Sequence, residues 1–199
     1  MRKSIILKTL EKVVSQQESR PILQCAHYEN GDIVATDGHQ LVKFSGVSED
    51  TELNMNINLL TGLPDNSIYP KTDVLFVTED QAETVLSFDS DRIKPVIGFL
   101  KTNKKEHITI DYSNKNKVIF STNKDAGGMS VDLPLQDSNI KDTNNKAIYL
   151  NATYMLNALN CIAGLKKQDE VKIMLMESPR PFTIIFSNMQ YTIAPMIKK

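Results

Sequence analysis

The sequence predicts an α+β fold in which helices pack on one face of antiparallel sheets. Three observations carry this. Three stretches place apolar residues at the helical period, short runs that alternate apolar and polar residues accompany each of them, and turn residues such as Asn30-Gly31 separate those runs. The chain therefore repeats an architecture, helix plus strands, rather than a sequence.

In the first unit Ile5, Ile6, Leu10, Val13 and Val14 make one helical face through about Ser15, and Pro21 forces the chain out of helix. Strands are expected over Ile22 to Tyr28, Asp32 to Ala35 and Leu41 to Ser45, with Glu29-Asn30-Gly31-Asp32 as a hairpin turn. The second unit opens with strands near Val74 to Val77 and Glu83 to Phe88. Ser90 or Asp91 then caps a helix to about Lys101, with Pro95 tolerated in the first turn because its missing N–H is not needed there. Strands follow at His107 to Tyr112, Lys117 to Thr122 and Gly128 to Leu133, with a turn at Asn114 to Asn116. Gln136 to Lys146 is polar and reads as an exposed connector. In the third unit Ala147 to Leu150 leads to Asn151, which caps a helix with Met155, Leu156, Leu159 and Ile162 on its apolar face. Gly164 and Lys166-Lys167 close that helix, and strands at Glu170 to Met176, Phe182 to Ser187 and Tyr191 to Ala194 follow.

The 199 residues are enough for a real core without staples. Cys25 and Cys161 are isolated, with no Cys-x-x-Cys pair and no His at ligand spacing, so they read as two small buried hydrophobes in a reduced compartment, with no metal or cofactor expected. Met1 to Leu10 has no signal-peptide pattern, and no window approaches the roughly 18 apolar residues of a membrane span, so a cytoplasmic protein is expected. A balance of 23 basic and 24 acidic side chains excludes a surface that is basic all round, but leaves room for a local basic face. Catalysis is not expected. Asp37-Gly38-His39 and Ser45 offer an acid, a base and a hydroxyl, yet the chain has no glycine-rich phosphate loop and no metal-spaced cluster.

The segments Ala35-Thr36-Asp37-Gly38-His39-Gln40-Leu41 and Tyr191-Thr192-Ile193-Ala194-Pro195-Met196-Ile197 resemble the two halves of the peptide-docking pocket of bacterial replicative sliding clamps, the beta subunit of DNA polymerase III. Ordered partial matches extend the likeness. Tyr69-Pro70 followed by Val74-Leu75-Phe76 is similar to the lead-in of the family's last domain, Tyr149 to Leu159 to its second helix, and Glu170 to Ile173 and Ser178-Pro179-Arg180-Pro181 to its closing strands. The resemblance implies a clamp-like fold of about one and a half clamp domains, that is, three half-units. Residues 1–68 correspond to the first half of the middle domain, and 69–199 to a complete last domain.

By the same resemblance the chain is a DNA replication accessory protein that holds duplex DNA and tethers polymerase, loader or repair proteins by short peptides. The pocket residues carried over are Arg20, Leu23, Thr36, His39 and Leu41 with Thr192, Ile193, Ala194, Pro195 and Met196. Ala194 stands where many clamps have methionine, which implies a wider or reshaped pocket. Candidates for phosphate contact are Lys8, Lys12, Gln17, Arg92, Lys94, Lys101, Lys104, Lys105, Lys166 and Lys167, and Phe99 and Leu100 fall where the family joins its subunits. A homo-oligomer follows, a tetramer or a dimer; a closed ring of six domains has twelve half-units, which at three per chain takes four chains. The alternative is a mimic that closes no ring and binds clamp-motif peptides without encircling DNA.

Overall fold

Helix α1 (Lys3–Val13) turns Ile6, Leu10 and Val13 inward, as its apolar period requires. The structure, a computed structural model, describes residues 3–104, 106–122, 128–140, 146–176 and 180–197. Instead of a strand from Ile22, Pro21 starts a single 3-10 turn over Pro21–Gln24, closed by the Leu23 N–H donating to Arg20 O at 3.0 Å. Strand β1 (Cys25–Glu29) begins only after it, and β2 (Asp32–Thr36) and β3 (Gln40–Phe44) complete a meander. Asn30 and Gly31 both have positive φ, 52° and 82°, the geometry a two-residue hairpin turn needs. Two further strands, β4 (Asn54–Asn58) and β5 (Pro64–Asp65), extend the sheet beyond β1.

The chain then crosses the sheet as a strap over residues 66–77. The expected strand at Val74 to Val77 is replaced by a 3-10 turn, Asp73–Leu75, and an extended exit. Strand β6 (Thr84–Asp89) is followed by a 3-10 turn (Ser90–Ile93), α2 (Lys94–Thr102), β7 (His107–Asp111), β8 (Lys117–Ser121) and β9 (Ser130–Pro134). The expected connector after β9 forms β10 (Asp137–Ile140), a polar edge strand paired with β6, and residues 141–145 lie outside the described residues. Strand β11 (Ala147–Asn151), α3 (Ala152–Leu165), β12 (Glu170–Leu175), β13 (Phe182–Phe186) and β14 (Met189–Ile193) complete the fold. Asn151 caps α3 by accepting the Thr153 N–H at 2.8 Å. The residue in left-handed conformation after α3 is Lys166, φ 50°, and not Gly164, which is still helical and has another use. A Cβ built on Gly164 would stand 3.0 Å from Ile5 Cδ1, so the glycine lets α1 approach α3 closely.

Ten strands form one antiparallel sheet in the order β10-β6-β12-β13-β14-β3-β2-β1-β4-β5, and β11-β7-β8-β9 form a second. The front meander and the last hairpin are joined edge to edge by β3 and β14, which pair from Met189↔Phe44 to Ile193↔Gln40. On the inner face, α1 and α2 flank α3; α1 lies over β2 and β3, α3 over β11 and β14, and α2 against β9. The main core fills the space between helices and sheets, with Leu10, Phe44, Leu86, Phe120, Leu159 and Tyr191 fully buried. No described helix is long and apolar enough to cross a membrane.

Candidate peptide pocket and helix face

Because side chains alternate along a strand, the paired registers place Met174, Thr183, Thr192, Leu41 and Thr36 in a single row across five strands on the face opposite the helices. Thr192 and Leu41 are direct cross-strand partners, 151 residues apart in sequence. Thr183 and Thr192 share a hydroxyl hydrogen bond at 2.8 Å, and Thr183 Oγ1 also accepts the Val77 N–H at 2.9 Å, which pins the far end of the strap. The near end is pinned by Tyr69, whose ring stacks on His27 at 4.8 Å, and the middle by Lys43, which pairs with Asp32 (3.0 Å) and Asp73 (3.5 Å). Burial pulls the Lys43 ammonium down, but the two carboxylates outweigh it and raise its pKa above the usual lysine value.

Tyr69 and Phe76 lie on Cys25, Val34 and Leu41, with Ile22 at the edge. Leu41 is thus already roofed by the strap, at 3% exposure. Burial drives the Tyr69 phenol well above its usual range, and burial together with the Asp65 carboxylate pushes the Cys25 thiol up to about 11, so neither ionises near neutral pH. Beside the strap a polar cleft of about 620 Å³ opens between His27, Asn56, Lys43 and Asp73.

The loop ahead of β3 is built by its own side chains. Thr36 Oγ1 donates to Gln40 O (2.7 Å) and accepts the Gly38 N–H (3.0 Å), while Asp37 Oδ1 accepts the N–H groups of His39 (2.7 Å) and Gln40 (2.9 Å). Gly38 is needed at φ 93°, and a Cβ built there comes within 3.9 Å of an Arg20 guanidinium nitrogen, which places Arg20 at the loop's rim. His39 is exposed, stacks with Tyr154 of α3 at 6.3 Å, and accepts the Ala194 N–H on its carbonyl at 2.9 Å. The Met196 N–H donates to Tyr149 O at 2.6 Å, which leads Pro195 and Met196 past the loop, and Met196 is 39% exposed.

The structure therefore brings Thr36, His39, Leu41, Thr192 and Ala194 together through adjacent register, with Arg20 at the Gly38 rim and Pro195 and Met196 on the same tail. Leu23 is buried in the turn before β1. Ile193 is a correction. It sits between outward Thr192 and Ala194, so it turns into the main core at 0% exposure and cannot face a peptide. The strap residues Tyr69, Leu75, Phe76 and Val77 were not expected in this region, and the only hint in sequence was the apolar run Val74 to Val77.

Behind the loop lies Gln40, 3% exposed and turned inward. Its Oε1 accepts the Tyr191 hydroxyl and the Asn157 amide (3.3 Å), and its Nε2 donates to Lys12 O (3.2 Å) and Asp37 Oδ2 (3.0 Å). This places one buried side chain between the pocket loop, α1, α3 and β14. His39 and Ser45 stand at opposite ends of β3, and Asp37 is committed to backbone N–H groups, so the three do not assemble as a catalytic set.

On the inner side Lys8 and Lys12 lie one turn apart on exposed α1, and Lys94 and Lys101 lie on exposed α2. The central helix, Ala152–Leu165, has no charged residue, so two lysine-bearing helices flank a neutral one. Gln17, Lys104 and Lys166 are exposed as well, whereas Arg92 and Lys167 are tied to Asp89 (3.4 Å) and Asp169 (2.9 Å). Lys105 lies outside the described residues. Phe99 and Leu100 are also corrected: at 7% and 0% exposure they belong to this chain's own core, where α2 meets α3 and β9, and neither offers its side chain to a neighbouring subunit.

No family model matches the chain, and no curated protein matches it. Solved structures do. The DNA polymerase III beta chain of Streptococcus pneumoniae superposes with a TM-score of 0.79 at 18% identity over 98% of this chain and 62% of its own. The beta subunit from Borrelia burgdorferi, in complex with a natural product, gives 0.77 at 10% identity over 98% and 62%. The Pseudomonas aeruginosa sliding clamp bound to griselimycin gives 0.73 at 15% over 97% and 63%. The chain thus has the fold of the bacterial beta sliding clamps and spans less than two thirds of their length.

Proposed function

We propose that this protein is a sliding-clamp-like replication accessory factor that holds duplex DNA against its helix face and tethers polymerase or repair proteins through the pocket on its outer face. The observation that carries the reading is the β3–β14 register, which assembles Thr36, Leu41, Thr192 and the Ala194–Met196 tail from opposite ends of the sequence into one surface. A short peptide would insert apolar side chains beside Leu41 and Met196, with Arg20 and His39 at the polar edge. Leu41 is roofed by Phe76 and Tyr69, so deep insertion requires the strap to shift. Lys8, Lys12, Lys94 and Lys101 would contact phosphates without reading bases, and the action is tethering, a gain in effective concentration with no chemistry.

The test is two-sided. Fluorescence anisotropy with a labelled duplex should give affinity that falls steeply with salt, and a Lys8→Ala/Lys12→Ala variant should lower the log–log slope by about two. A labelled peptide carrying a polymerase clamp motif should bind the parent protein and lose at least tenfold in Met196→Ala. Peptide binding with no duplex binding at low salt would establish the mimic instead, and binding of neither would end the clamp reading.

A further inference from the structure

One end of the large sheet has a bare inner face. The main helix contacts fall on β2, β3, β9, β11 and β14 and none on β1, β4 or β5, so the cover thins past Ala26, which is still buried in the main core. On that inner face the registers pair Ala26 with Ile57, Ile57 with Pro64, and Tyr28 with Met55. Tyr28, Met55 and Ile57 are only partly buried, and Leu60 and Leu63 beyond them are 48% and 64% exposed. An apolar sheet face of this kind is normally closed by a second layer.

Helix α1 borders the bare face. Its Ile5 lies against Gly164 of α3, and Ile6, Leu10 and Val13 point to the core. At 100° per residue, Lys3, Leu7 and Glu11 then share the flank opposite Ile5, with Lys3 at the mouth of a cavity formed by residues 46–49 and the Leu165 end of α3. Leu7 is 47% exposed there, and neither Lys3 nor Glu11 has an ion pair among the described residues. The stripe Lys3–Leu7–Glu11 is self-complementary. If a second α1 lies antiparallel with Leu7 opposite Leu7, each Glu11 falls at the level of the other copy's Lys3. The rest of the chain shows the same solution internally, since α2 and α3 pack side by side and close the layers over their own strands.

We infer that the bare face is an isologous interface and that its occupant is a second copy of this chain, whose α1 packs against α1 and covers the inner face of β1 and β4. Lys8 and Lys12 remain on the outward side of each helix, so the join is compatible with the proposed phosphate contacts while resting on the fold alone. Two front half-units would then make one composite domain.

Size exclusion with light scattering on the full chain, from 1 to about 100 µM, tests this. The expected species is a multiple of two chains. Leu7→Lys and Met55→Lys should each halve the mass with unchanged circular dichroism. Because either could disturb folding, the exposed charges provide a second test: Lys3→Glu and Glu11→Lys should each weaken association at least tenfold, and the double exchange should restore it. A parent protein that stays monomeric throughout, an oligomer insensitive to Leu7→Lys and Met55→Lys, or a double exchange that fails to recover would each overturn the inference. A monomer that still binds duplex and peptide would overturn this interface and leave the clamp reading standing.

Discussion

Replacing Gln40 by leucine tests how the pocket loop is fixed to the layers behind it. The side chain is buried, and a leucine in its place would keep most of the volume while removing one acceptor oxygen and two N–H donors. The Tyr191 hydroxyl, fully enclosed, would lose its short bond, and the buried Asn157 amide would lose its 3.3 Å acceptor. A buried polar group left without its partner costs about 1–3 kcal/mol, so the two together give roughly 2–6 kcal/mol before any relaxation. Asp37 and Lys12 lose less, since Asp37 keeps its two backbone N–H bonds and both can meet solvent. Against a total stability of about 5–15 kcal/mol this is a large loss. With a urea slope of about 1–3 kcal/mol per molar, the midpoint should fall by roughly 1–3 M. The decisive variant is Gln40→Leu/Tyr191→Phe. Tyr191→Phe alone should cost about 1 kcal/mol, yet the double variant should be more stable than Gln40→Leu by about 1–2 kcal/mol, because it removes a buried hydroxyl left with only the Asn157 side chain beside it. A Gln40→Leu midpoint within about 0.2 M of the parent, or a double variant weaker than Gln40→Leu, would refute the reasoning.

Gly164→Val should destabilise by about 1–3 kcal/mol by pushing Ile5 and α1 off α3, and an unchanged melting curve would show that the helices are not in close contact there. Burial holds both thiols up to about 11, so Cys25 and Cys161 should resist iodoacetamide at pH 8 in the native state and react on unfolding; Tyr69→Ala should speed Cys25 selectively, as read by peptide mass spectrometry, because Tyr69 covers only that thiol. Lys43 has a raised folded pKa, so its contribution is complete below the unfolded value of 10.5 and is lost as pH rises through the folded value. The stability gap between the parent and Lys43→Met should therefore be flat from pH 6 to 10 and shrink above it; a gap that grows with pH would reverse the assigned sign.

The helices and most strands were legible because their signals are local. Leu10 and Val13 recur at the helical period, Asn30-Gly31 supplies the positive φ of a tight turn, and Asn151 caps α3 as its position suggests. What was missed depends on neighbours. Strand β4, Asn-Met-Asn-Ile-Asn, has a residue of poor strand propensity at every second position, yet β1 offers a free edge on which Asn58 bonds Gln24 and Asn56 bonds His27. Strand β10 is polar for the same reason: β6 recruits it by its backbone. At the site, the pairing of residues 36–41 with 192–196 came from resemblance and not from any pattern a single strand shows. Alternation then removed Ile193 from the pocket, and the α2–α3 contact absorbed Phe99 and Leu100. Gln40 gave no signal, since a glutamine opening a strand reads as surface until the groups around it are known.

The β3–β14 seam also sets an order of events in folding. Strand β3 can form its hairpin with β2 early, but its other edge stays unpaired until residues 189–193 have been synthesised and docked. Until then the front meander carries an open apolar edge at Leu41 and Val42, the kind of edge that recruits strands from other chains. Closing the sheet at this seam and bringing Thr36 and Leu41 beside Thr192 are therefore one step, so the surface proposed for a peptide does not exist until these two distant parts of the chain have met.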